Sequence, residues 1–199
     1  MSQMRTKLAL AAVASLIAGT ALAVPTVIQS ASFASSTYHL LSESSWDDAE
    51  AAAQALGGHL TTVEDLAENT FLLNTFGPTA QALVTSGLLS LWIGLNDATT
   101  EGSFQWVSGS TSAYTHWLPG QPQNGVADED YAGLLVDAGI PTGQWHDVVS
   151  DTRFNDRTFG VVEISAVPEP ASWALVLSGL GVLSMVARRK GYCKGYSRG

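Results

Sequence analysis

An apolar block rich in Ala and Leu runs from residue 8 to residue 24, and a second runs from 171 to 187; between them apolar positions are spaced rather than continuous. Trp46, Ala49, Ala53 and Leu56 recur at the spacing of one helix face. In front of them, Ser45 with Asp48 three residues on reads as a helix start, with acids in the first turn where the helix dipole favours negative charge. Gly57-Gly58 ends that helix. A second helix is predicted from Thr62, with Asp65 three residues on. Val63, Leu66, Ala67, Thr70 and Leu73 form its expected buried face, and Gly77-Pro78 its stop. Upstream, Tyr38-His39-Leu40-Leu41 predicts a first strand, and the small polar residues of 30–36 close a linker over 24–36. After Leu91 the pattern changes to short apolar runs at 91–95, 104–107, 131–136, 145–149 and 159–164. Gly, Asn, Asp and Ser separate them, as expected of short, mostly antiparallel strands. Two helices followed by such strands predict an α+β fold for residues 37–166. Residues 117–130 form a long loop with Pro119, Pro122 and three consecutive acids, and loops of that length in a compact domain are usually functional.

The terminal blocks read differently. Arg5 and Lys7 precede the first, and Ala21-Leu22-Ala23 offers small residues at a cleavage position, so 1–23 reads as a secretory signal peptide with the mature chain starting near Val24. The second block has no polar face and is followed by Arg188-Arg189-Lys190. Its 17 residues reach the lower limit of a transmembrane helix, and the basic cluster would stay cytoplasmic during export. A short tail, 191–199, carries the lone Cys193.

Charge sharpens the picture. The formal net charge of -9 conceals that all 18 acids lie between Glu43 and Glu169, where only Arg153 and Arg157 oppose them, leaving 16 net negative charges. Such a module repels nucleic acid, and it must either tolerate its own repulsion or hold cations. One cysteine excludes an internal disulfide framework and a Cys-clustered zinc site. The four histidines, His39, His59, His116 and His146, include no pair at helical ligand spacing, which speaks against the usual zinc hydrolase pattern. Six Trp, six Phe and five Tyr exclude a disordered chain. Asp128-Glu129-Asp130 invites an enzymatic reading, but neighbouring loop residues do not face one substrate across a gap.

Two resemblances follow. Val167-Pro168-Glu169-Pro170, the apolar run and the basic cluster resemble, over 167–190, a PEP-CTERM sorting region. That implies an exported protein held transiently at the inner membrane and processed by an exosortase-type enzyme. Ser45-Trp46-Asp47-Asp48-Ala49-Glu50, Gly57-Gly58-His59-Leu60 and Glu68-Asn69 resemble the two-helix opening of a C-type lectin-like domain. Leu91-Trp92-Ile93-Gly94-Leu95, Gln121-Pro122-Gln123, Glu129-Asp130 and Trp145-His146-Asp147 resemble that family's later motifs in order. Ala53, Tyr131, Ser150 and Val162 stand where the family has cysteines, so both disulfides are lost. The cysteines on which the family's formylglycine-generating branch relies are absent too, and no enzyme is expected.

The resemblance implies two oxygen-rich groups, and calcium favours six to eight oxygen ligands. One is similar to the family's sugar-binding calcium site: Gln121, Gln123, Glu129, His146 and Asp147, with a cis peptide before Pro122 aiming the first two side chains. Only Glu129 and Asp147 are charged, and the nitrogen of His146 suits a hard cation poorly, so this site reads as partly degraded. The other is similar to the accessory calcium site: Asp97, Glu101, Asn124 and Asp130. The expected function is non-catalytic binding of carbohydrate, such as the cell's own exopolysaccharide. The alternative is a ligand-neutral matrix or adhesion module that binds protein or serves a structural role.

Overall fold

The computed structural model describes residues 24–123, 129–136, 143–150 and 157–166. The expected signal peptide, transmembrane run and tail lie outside these residues. Among the described residues no helix is long and apolar enough to cross a membrane.

In chain order the elements are β1 (Val27–Phe33), β2 (Ser36–Glu43), α1 (Trp46–Ala55), β3 (His59–Leu60), α2 (Leu66–Leu83), β4 (Leu89–Asn96), β5 (Gln105–Trp106), β6 (Tyr131–Leu135), β7 (Trp145–Val148) and β8 (Arg157–Ser165). The strands form one sheet in the order β1-β2-β8-β4-β6-β7, with β3 on β8 and β5 on β4. Among the described strands β4 and β8 pair in parallel and the other pairings are antiparallel, with one isolated parallel bridge between Trp117 and Trp145. The α+β class with a mostly antiparallel sheet is therefore what the chain adopts.

Apolar side chains alternate across the sheet into two cores. One holds Leu72, Phe76 and Ala80 of α2 against Leu91, Ile93, Leu134, Trp145 and Val161. The other holds Trp46, Ala49 and Ala53 of α1 against Leu41, Leu60, Trp92 and Val162. Helix α1 forms as expected: the Ser45 hydroxyl accepts the Asp48 N–H at 3.2 Å. At its end Gly57, at φ 87°, donates to the Gln54 carbonyl and Gly58 to that of Ala53, a Schellman closure. Leu56, expected on the buried face, is the capping residue and is 40% exposed.

Three expectations are corrected. The linker expected over 24–36 contains β1, which pairs with β2 from Val27↔Leu41 to Phe33↔Ser36. Backbone pairing makes this strand, and its small side chains hide it from hydrophobic periodicity. The second helix starts four residues later than Thr62. Asp65 is its cap, accepting the Glu68 N–H at 2.8 Å, while Glu68 reaches back to the Glu64 N–H at 2.8 Å. Thr62 instead pairs with the Ser108 hydroxyl at 2.6 Å. The buried face is thus Glu68, Asn69, Leu72, Phe76 and Ala80, and Leu66, Ala67 and Thr70 are not the face that packs. Finally, Gly77-Pro78 does not stop α2, because Phe76 and Ala80 are both fully buried on either side of it. The Thr75 carbonyl, three residues before the proline, accepts the Gln29 side-chain amide at 3.0 Å, which ties β1 to the helix.

The four cysteine-like positions show how the domain dispenses with disulfides. Ala53 and Val162 meet as fully buried apolar residues in one core. Tyr131 and Ser150 both donate to the Asp47 carboxylate, at 3.5 and 3.2 Å on its two oxygens. The Tyr131 ring lies on Trp46 with centroids 4.7 Å apart. Asp47→Ala is expected to destabilise the domain by about 0.5–1 kcal/mol, the net worth of hydrogen bonds to an exposed carboxylate. Urea denaturation measures it, and an unchanged midpoint would remove Asp47 as the bridging group.

Candidate functional site

The site region grows from the ends of β4 and β7 and from the loop that begins at Trp117. Trp145 anchors it. This fully buried indole donates to Asn69 Oδ1 at 2.8 Å, and the Asn69 amide donates to the Gly143 carbonyl at 2.9 Å. Trp106, Tyr114 and Trp117 meet the Trp145 ring edge-on at 5.9, 5.6 and 5.7 Å. The backbone of Trp145 also accepts from Leu118 and donates to His116, each at 2.8 Å, so the start of the long loop is stitched to β7.

From that anchor the chain turns. The Gln121 N–H bonds the Leu118 carbonyl at 2.9 Å, and Gln121–Pro122 is cis. Asp147, only 3% exposed, accepts the Gln123 N–H on Oδ2 at 2.7 Å. A buried carboxylate on β7 therefore fixes the Gln-Pro-Gln turn. The Gln121 side-chain oxygen is buried with no hydrogen-bond partner among the described residues. Gln123 is exposed and Glu129 half-buried.

His146 does not join this group. Successive strand residues point to opposite faces, so its ring leaves β7 on the side away from Asp147. It is 7% exposed and shares a hydrogen bond with the Ser90 hydroxyl at 2.7 Å through Nε2. Burial lowers its pKa to about 4, against the opposing pull of Asp147. The expectation of His146 as a ligand is corrected: it is a neutral core residue, and its partner Ser90 carries no sequence signal. The expected sugar-type group thus loses its nitrogen member, and among its other residues the Gln123 N–H bonds Asp147.

The accessory group is assembled by the turn after β4. Asp97, 2% exposed, donates its N–H to the Asp130 carbonyl at 3.0 Å, accepts the Thr100 N–H at 2.9 Å on its carbonyl, and accepts the Gly102 N–H at 2.8 Å on Oδ2. Its Oδ1 is buried and lacks a hydrogen-bond partner among the described residues. Desolvation, then the charges of Asp97 and Asp130, hold the Glu101 carboxyl above the usual carboxylate range. Asp97 and Asp130 thus both bear on Glu101 as like charges. Asn124 lies outside the described residues. Among the described residues, Asp97, Glu101 and Asp130 included, no three or more His, Cys, Asp or Glu are placed to hold a metal ion. The buried Asp97 oxygen without a partner among the described residues is chemically suited to a hard cation.

Comparison with known proteins places this geometry. The Lectin C-type domain model matches residues 42–155, and the PEP-CTERM protein-sorting motif matches 166–190. Echinoidin of Heliocidaris crassispina is 31% identical over 134 residues, which are 61% of this chain and 87% of echinoidin. The alpha-N-acetylgalactosamine-specific lectin of Patiria pectinifera is 35% identical over 115 residues, 56% of this chain and 60% of that lectin, so less than two thirds of its length is spanned. The cow C-type carbohydrate-recognition domain of CD23 shares the fold at a TM-score of 0.55, with 23% identity over 69% of this chain and 94% of that one. With two helices, the mixed sheet, the cis-proline turn and these matches in agreement, the chain belongs to the C-type lectin domain family and carries a PEP-CTERM sorting motif.

Proposed function

We propose that this is an exported, non-catalytic carbohydrate-binding protein whose ligand is a surface or extracellular polysaccharide. The observation that carries the reading is the Gln121-Pro122-Gln123 turn, fixed from below by the Gln123 N–H bond to buried Asp147 at 2.7 Å. Gln123 is exposed in that turn, beside Gln121, whose side-chain oxygen is buried without a partner among the described residues. The sorting motif supports export, transient membrane anchoring and processing by an exosortase-type enzyme. Asp97, Glu101 and Asp130, with Asn124, would hold a calcium ion that neutralises their mutual repulsion and pins the loop. Gln121, Gln123, Glu129 and Asp147 would form the weaker sugar-facing group, where a bound ion supplies direct coordination of vicinal hydroxyls.

Retention on an immobilised exopolysaccharide column that weakens in a chelator is the expected behaviour. Retention equal with and without the chelator, and unaffected by Gln121→Ala and Gln123→Ala, would favour the ligand-neutral matrix or adhesion reading instead.

Calcium is also expected to raise the melting temperature more than magnesium does. Extracellular calcium modules bind at about 10⁻⁴–10⁻³ M, and an ion at 100 times its dissociation constant adds about 2.7 kcal/mol. Asp97→Ala should abolish the difference between the ions. An equal response to both, unchanged by Asp97→Ala, would mean that the acids sense only ionic screening.

A further inference from the structure

A second concave surface lies beside the loop and uses none of the candidate calcium ligands. It is a groove of about 440 Å³, within the size range of ligand pockets. Trp106 closes its floor at 6% exposure, and half-buried Phe104, Tyr114 and Trp117 form its walls. Phe104 and Trp117 meet edge-to-face with centroids 5.0 Å apart, which fixes the walls against each other. The rim carries Gln105, Thr111 and Thr115, all exposed, and their side chains make no hydrogen bond among the described residues.

The charge of this groove is its second feature. No lining residue is ionisable as an acid or a base at neutral pH, although the segment around it carries 16 net negative charges. Ionic ligands of either sign find no counter-charge there. A purely aliphatic ligand would leave the amide and hydroxyl rim unpaired. A ligand with apolar faces and uncharged hydroxyl edges satisfies both parts, since aromatic walls cover its C–H faces and the rim pairs with its hydroxyls. Neutral pyranose rings have that chemistry. The groove also lies close to the Gln-Pro-Gln turn: Trp117 lines it, and Gln121 follows four residues later, at most about 14 Å along an extended chain. A polysaccharide strand is long enough to engage both.

We propose that the Phe104–Trp117 groove is a calcium-independent subsite for a neutral polysaccharide segment. The proposal rests on the reading of the protein as a carbohydrate binder and adds a site that needs no metal. The test is an array of neutral oligosaccharides, including cello-, laminari-, malto- and mannohexaose, probed with the full-length chain in chelator. Binding in chelator is expected, and Thr115→Arg, an exposed substitution that places bulk and charge at the rim, should weaken it tenfold or more. Gln121→Ala, in the turn rather than the groove, should instead reduce the additional binding seen in calcium. Near-ultraviolet circular dichroism checks that Thr115→Arg keeps its fold, and Gln105→Ala, expected to weaken binding severalfold, provides a second variant. No binding in chelator, or chelator-resistant binding that ignores both rim variants, would overturn the subsite. Calcium-dependent binding lost in Gln121→Ala would then still stand, so the two readings fail separately.

Discussion

Trp145→Ala is expected to cost the domain about 3–5 kcal/mol, the range for deleting a large buried aromatic and a large share of the roughly 5–15 kcal/mol that holds an ordinary domain together. Three aromatic rings lose their common neighbour, and the Asn69 amide oxygen loses its indole donor in a buried setting. The backbone bonds from Leu118 and to His116 depend on β7 staying in place, so the loop should loosen with the core. Trp145→Phe should recover part of the packing but none of the hydrogen bond. Chemical denaturation of the three proteins tests this; a Trp145→Ala midpoint equal to wild type would mean that the loop is held by other contacts.

Acid should destabilise the domain through His146. Its folded pKa of about 4 lies below the ordinary value of 6.5, because burial disfavours the charged ring. The unfolded state therefore binds the proton first. Stability is intact above pH 6.5 and is lost as pH falls towards 4. The loss is roughly 3 kcal/mol, because each tenfold difference in proton affinity between the folded and unfolded states is worth about 1.4 kcal/mol. His146→Gln removes the titrating group and should flatten the profile between those limits. Glu68, whose carboxyl burial pushes up, is common to both proteins and cancels in the comparison. Parallel stability profiles for wild type and His146→Gln from about pH 7 to about pH 4 would show that the ring titrates normally.

Helix α1 was legible because its cap, its apolar face at Trp46, Ala49 and Ala53 and its closing glycines agree with one another. Helix α2 was half legible: Thr62/Asp65 and Asp65/Glu68 are overlapping capping frames, and only the tertiary pairing of Thr62 with Ser108 decides between them. Strand β1 was invisible because Gln29, Ser30, Ala31 and Ser32 carry no apolar alternation and are held by main-chain pairing to β2. At the site, the loop motif and its cis proline could be read through family resemblance, whereas the side of the sheet that His146 faces could not. That choice depends on strand phase and on Ser90, which is 56 residues away in sequence. The replacement of a disulfide by hydrogen bonds to Asp47 likewise needs the three residues in space, since Tyr131 and Ser150 are distant from it along the chain.

Sugar recognition at the Gln-Pro-Gln turn, coupled to calcium, is tested most directly by a glycan array probed with the same protein in calcium and in chelator, alongside Asp97→Ala and the pair Gln121→Glu and Gln123→Asn. Calcium-enhanced binding is expected in the wild type. It should be diminished by Asp97→Ala and strengthened by the paired change, which adds one charge and shortens one amide arm. Glycan binding equal in calcium and chelator, and equal in all three proteins, would contradict sugar recognition at this turn.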